Sequence, residues 1–163
     1  MVFRRHPDKH PPLFAFNRIL VPVIGNDEVD VPALNLTVML LAGHKGAEAS
    51  VLHVIEVPFE RNLDEQDDAA VARADAILDR AEQLLEEHEI VVRQRTVQAR
   101  AAGPAIVDDA YESAADAIIM GLRYKKRFGG QWDAGRTVPY VMRNTTAPVW
   151  CLRAETEELA HAP

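Results

Sequence analysis

From Asn17 onward, short apolar runs alternate with longer segments of helical period. That alternation restricts the chain to repeated βαβ units feeding a parallel sheet. The runs cover residues 18–23, 50–57, 91–97, 117–120 and 148–152, which predicts five strands. Between the second and third, Val71, Ala74, Leu78, Ala81 and Leu85 recur three or four apart, so a helix is expected over 67–87 with its opposite face charged. Helices are also expected over 32–44 and 104–113, each with a proline in its first turn where no intrahelical bond is lost, and a fourth should begin near Arg136. Parallel strands need right-handed crossovers, and both faces of such a sheet must be covered. The expected fold class is therefore an α/β three-layer sandwich.

Length and composition agree with one domain. A chain of 163 residues can close a single core without disulfides, and 48% hydrophobic with 26% charged residues is ordinary for a folded soluble protein. Residues 1–13 carry prolines and basic residues without periodicity and read as an extended arm, 14–154 as the domain, and 155–163 as a flexible tail. The arm reads either as a frayed terminus or as a linker from a preceding membrane segment. It lacks the apolar stretch of an export signal, and the apolar runs fall far short of a membrane span. Cys151 is the single cysteine, which points to a cytoplasmic location. A net charge of −7 argues against nucleic acid as a partner.

In a parallel sheet, ligands bind beyond the carboxyl ends of the strands, where helix N-termini present unpaired N–H groups. Two loops lie there. The first is 21–27, with Pro22, Val23 and Ile24; the second is 120–137. The second gathers Arg123, Lys125, Lys126, Arg127 and Arg136 in an acidic protein, with Gly121, Gly129, Gly130 and Gly135 allowing close backbone approach and Thr137 at the next helix start. These are the parts of a phosphate cradle. The residues alone leave open a solvated basic loop with glycine turns.

Other chemistries find little support. The histidines show no metal-ligand spacing, so no metal is expected. His53, inside an apolar strand, reads as a hydrogen-bonded core histidine, and Cys151 as a packed hydrophobe. Asp64, Glu65, Asp67 and Asp68 sit at a helix start, where capping explains them. No nucleophile elbow occurs.

The first strand with its loop, the run Leu52-His53-Val54, and Ile118-Ile119-Met120-Gly121 followed by the Gly-rich loop and Ala147-Pro148-Val149 resemble universal stress protein domains over about residues 17–153. The resemblance implies a sheet of order 3-2-1-4-5, ATP or another adenine nucleotide such as cyclic di-AMP as ligand, and a homodimer formed through the last strand. It implies a base pocket lined by backbone of Pro22, Val23 and Val54. The phosphates are expected at the basic Gly-rich loop, on Gly121, Arg123, Lys125, Lys126, Arg127, Gly135, Arg136 and Thr137, with Tyr124 on the base or ribose or packed beneath the loop. Nucleotide-binding members carry an acidic residue after the first strand and a Gly-x-x-Gly, nine residues, Gly-Ser/Thr motif. Here Ile24 takes the acidic position, Tyr124 the second glycine, the spacing is one residue longer, and Arg136 stands where the hydroxyl belongs. The segments 135–141 and 102–107 resemble a variant branch found alone or fused behind membrane transporters. A regulatory nucleotide domain is thus the first expectation and a nucleotide-independent interaction module, with Trp150 as anchor or core, the second. A slow ATPase is the third, and the chain is not expected to be an enzyme.

Overall fold

The structure, a computed structural model, describes residues 16–65, 67–122, 125–126, 132–133 and 135–153, the two short pairs by backbone alone. The expected arm and tail lie outside the described residues, as do Arg123, Tyr124 and Arg127. In chain order the elements are β1 (Arg18–Pro22), α1 (Asp27–Leu41), β2 (Glu48–Glu56), α2 (Asp68–Glu86), β3 (Val91–Ala99), α3 (Ala102–Glu112), β4 (Ala117–Gly121), β5 (Lys125–Lys126), β6 (Trp132–Asp133), α4 (Thr137–Asn144) and β7 (Val149–Leu152). The main sheet is parallel, in the order β3-β2-β1-β4-β7. This is the expected 3-2-1-4-5 arrangement, with β7 as its fifth strand.

Side-chain alternation along the strands divides the core into two layers. Ile19, Val21, Ala49, Val51 and Ile119 face α1 and α2, packing on Ala33, Leu34, Leu41, Leu78, Ala81 and Leu85. Leu20, Leu52, Ile118 and Met120 face α3 and α4, packing on Ile106, Ala110, Val138 and Val141. β1 lies between β2 and β4, so the chain leaves it toward opposite halves of the sheet, and a crevice opens at that switch point.

Three local expectations are corrected. α1 starts at Asp27, not at Pro32, because the Asn26 side chain caps the Glu28 N–H at 3.0 Å and Asp30 organises the preceding loop. Those contacts outweigh the one hydrogen bond that Pro32 removes inside the helix. The basic loop contains an antiparallel pair, with Lys125 opposite Asp133 and Lys126 opposite Trp132; two-residue strands leave no periodicity to read. Cys151 is exposed rather than packed, since β7 is the edge of the sheet. Trp150, which alternation sends to the other face, is 40% exposed and meets Phe16 edge-on at 6.2 Å between ring centroids.

Candidate functional site

At the carboxyl ends of β1, β2 and β4 lies a cleft of about 890 Å³. It brings together Pro22, Val23, Ile24, Gly121, Gly135, Arg136 and Thr137 from the two loops singled out in the sequence, with Val54 of β2. Lys125 and Lys126 lie in the small antiparallel pair, described by backbone alone. His53, Glu56, Ala70, Arg73, Ile77, Ala102 and Val138 also line the cleft. Of these, Arg73 went unread in the sequence: it sits on the charged side of α2, and only the packing of α2 over the sheet brings it to the cleft.

All four helices point their N-terminal ends at this cleft, so what occupies each end decides where an anion can go. Ahead of α1, the buried Asp30 carboxylate accepts the N–H groups of Ile24 at 3.0 Å, Gly25 at 2.7 Å and Asn26 at 3.0 Å. Burial pushes its pKa above the ordinary carboxylate value, against the lowering by those three donors. At α2, Asp67 accepts from the Ala70 N–H at 3.0 Å and from Arg61, which together hold its pKa below the ordinary value. The capping expected of the acidic stretch thus falls to Asp67. At α3, Glu56 accepts from the Ala102 N–H at 2.7 Å.

The fourth end is different. α4 has no side-chain cap, Arg136 is its N-cap residue, and Gly135 before it turns the chain at φ +72°. The amides of Thr137 and Val138 fall in the first turn, where no intrahelical acceptor exists, and Pro139 has no N–H to satisfy. Three of the four helix ends are capped by the chain's own side chains, Asn26 at α1 and the carboxylates of Asp67 and Glu56 at α2 and α3, and among the described residues the remaining one is open beside a guanidinium.

The side of the cleft formed by β1 and β2 is more apolar. Ile24 is 52% exposed there, where a carboxylate would have offered an acceptor. The Val23 amide donates to Leu52 O at 2.9 Å and the Val23 carbonyl faces His53 Nδ1 at 2.9 Å, so both backbone groups of Val23 are already engaged. A carbonyl only accepts, so Nδ1 carries the proton and Nε2 of the neutral ring is an acceptor. His53 is hydrogen-bonded, as expected, yet it is half-buried at the cleft and not deep in the core.

Gly121 was expected at the ligand because glycine permits close approach. The close approach here is to protein: a Cβ on Gly121 would collide with the Val29 carbonyl oxygen of α1. Gly103 in α3 similarly admits the Tyr140 ring of α4, which would lie 2.8 Å from a Cβ at that position. These two contacts set where the N-terminal ends of α1 and α4 stand around the cleft.

The sequence matches the model of the Universal stress protein family over residues 15–153. The chain belongs to the universal stress protein family. The fold is shared with solved members at low identity. One is a universal stress protein from Archaeoglobus fulgidus in complex with dAMP, at 21% identity and TM-score 0.63, covering 86% of this chain and 100% of that one. Another is a universal stress protein in complex with cAMP, at 19% identity and TM-score 0.64, covering 87% and 100%. A third, from Arabidopsis thaliana with AMP bound, is 10% identical with TM-score 0.63, covering 87% and 94%. No curated protein matches the sequence. Among the described residues of this universal stress protein domain, no helix is long and apolar enough to cross a membrane, and no group of three or more His, Cys, Asp or Glu could hold a metal ion.

Proposed function

We propose that this universal stress protein domain is a regulatory module that binds an adenine nucleotide in the cleft, with the ligand's phosphate at the N-terminus of α4. One observation carries the reading: Asn26, Asp67 and Glu56 cap the other three helix ends, while among the described residues Arg136, Thr137 and the first-turn amides of α4 stay open to an anion. Solved relatives described with AMP, dAMP and cAMP support the ligand class. The base would lie against Ile24 and Val54, with His53 Nε2 as an acceptor for an exocyclic amine. The basic residues of 123–127 would extend the phosphate site, in line with the sequence reading. ATP and cyclic di-AMP both remain within this class.

Binding without turnover is part of the proposal. Glu56, which lines the cleft, and Asp30, beneath the Ile24 loop, are both engaged with backbone N–H groups, which supports a role in shaping the site rather than in activating water. We place the domain in the cytoplasm, where the exposed Cys151 thiol would stay reduced.

Isothermal titration with AMP, ATP, cAMP and cyclic di-AMP tests the assignment against an Arg136→Ala, Thr137→Ala variant. Losing a charge-assisted contact to phosphate should weaken binding about tenfold or more. Binding that is unchanged in the variant, or absent for every nucleotide, overturns the reading.

A second reading concerns assembly, alone or as the cytosolic part of a transporter. β7 is an edge strand with a half-exposed Trp150 and an exposed Cys151, which favours pairing with a second copy. Light scattering should find a dimer that Trp150→Glu converts to monomer; a monomeric wild-type protein removes this reading.

A further inference from the structure

The arginines of this chain are mostly spoken for. Arg61 pairs with Glu65 and Asp67, Arg80 with Asp27, Arg93 with Glu48, and Arg95 with Asp109 and Glu112. Arg18 donates to the Ser113 carbonyl and Arg100 to those of Val57 and Arg61. Among the described residues, Arg73, Arg136 and Arg143 make no ion pair or hydrogen bond through their guanidinium groups. Two of those three, Arg73 and Arg136, line the same cleft.

Arg73 is unpaired although its helix is rich in acids. α2 carries Asp68, Asp75, Asp79, Glu82 and Glu86, yet the positions three and four residues from Arg73 are Ala69, Ala70, Ala76 and Ile77. No i,i+3 or i,i+4 partner is available to it. Arg80, two turns on, shows the contrast, since it reaches Asp27 at 3.4 Å.

Arg73 and Arg136 also stand on opposite sides of the sheet. α2 packs in the layer with α1, and α4 in the layer with α3, so the two cations bracket the cleft from opposite walls. Ile77, one turn after Arg73, packs over Gly25, within 2.6 Å of where a Cβ would lie. Arg73 is therefore placed above the Ile24 side of the site, away from α4. At that side Ile24 is apolar and half-exposed, and the nearby Asp30 carboxylate is turned onto the backbone N–H groups of Ile24, Gly25 and Asn26.

We infer that the cleft takes a nucleotide with two separate phosphate groups, the first at Arg136 and the α4 N-terminus and the second, on the ribose, at Arg73. This rests on the nucleotide reading above and names the ligand within it.

The test is titration of the full chain with AMP, adenosine 3′,5′-bisphosphate and adenosine 2′,5′-bisphosphate, on wild type, Arg73→Gln and Arg80→Gln. Arg80 lies on the same exposed helix but pairs outside the cleft, so it controls for helix charge. At least one bisphosphate should bind wild type about tenfold more tightly than AMP, as one charge-assisted contact would give. That ratio should fall to within about twofold in Arg73→Gln and stay in Arg80→Gln. The isomer that gains identifies which ribose hydroxyl carries the second phosphate. If AMP binds and neither bisphosphate exceeds it, or if the ratio survives in Arg73→Gln, the inference is overturned and the nucleotide reading stands. If nothing binds, both fall.

Discussion

Gly121 at the end of β4 lies directly against the carbonyl of Val29 in the first turn of α1, with no room for a side chain between them. The obstacle is backbone rather than a flexible side-chain end, so it cannot yield cheaply. Gly121→Ala should cost about 3 kcal/mol or more in urea unfolding, through displacement of α1. A loss below about 1 kcal/mol would mean that α1 slides freely over β4.

Asp30 holds the loop that leads into the same helix. Its carboxylate gathers three consecutive backbone donors, and Gly25 among them holds φ +80°. Asp30→Ala should destabilise by about 2–4 kcal/mol, because the N–H groups of Ile24, Gly25 and Asn26 lose their acceptor. Asp30→Asn, which keeps one acceptor oxygen, should lose less. Denaturation of the two variants side by side checks the order, and equal losses would contradict it.

The seating of α4 on α3 depends on Gly103 and Tyr140. Gly103→Ala should cost about 1–3 kcal/mol and, with the proposed phosphate site at α4, weaken nucleotide binding by tilting that helix. Adding Tyr140→Ala should relieve the clash, so the double mutant loses less than the sum of the singles. A double-mutant cycle showing strict additivity would remove the contact from the account.

Asp109 offers a test against pH. It is buried under Arg95, whose Nε lies 2.9 Å from Oδ1 but out of line for a hydrogen bond, and Glu112 is the other charge beside it. Burial raises its pKa, Arg95 opposes and Glu112 reinforces. The folded protein therefore holds this proton more tightly than the unfolded chain, whose carboxyl titrates near about pH 3.9. Ionised Asp109 costs stability above its folded pKa, and that cost is relieved as pH falls through it. The stability of wild type relative to Asp109→Asn should thus improve from about pH 7 to about pH 4.5. A gap that stays constant or moves the other way would refute the assignment.

Much of this architecture is legible along the chain because its causes are local. The spacing of Ala74, Leu78, Ala81 and Leu85 places one stripe of α2 in the core, and the apolar runs locate the strands to within a few residues. Pro32 misled the reading of α1, since a proline marks a helix start only when capping upstream does not begin the helix sooner. The cleft was legible in part: its two loops follow from strand ends and glycines, and Ile24 and Arg136 could be read against the family's pattern.

What the sequence by itself determined is the order of strands and helices and the two loops that meet at their carboxyl ends. What only the tertiary structure decided is which groups at that meeting place are free. Glu56 and Ala102 are 46 residues apart, and Arg73 faces the cleft only because α2 crosses the sheet where it does. Periodicity reports the face a residue occupies on its own element, whereas hydrogen bonding and charge pairing are settled by whatever the fold brings within about 3 Å.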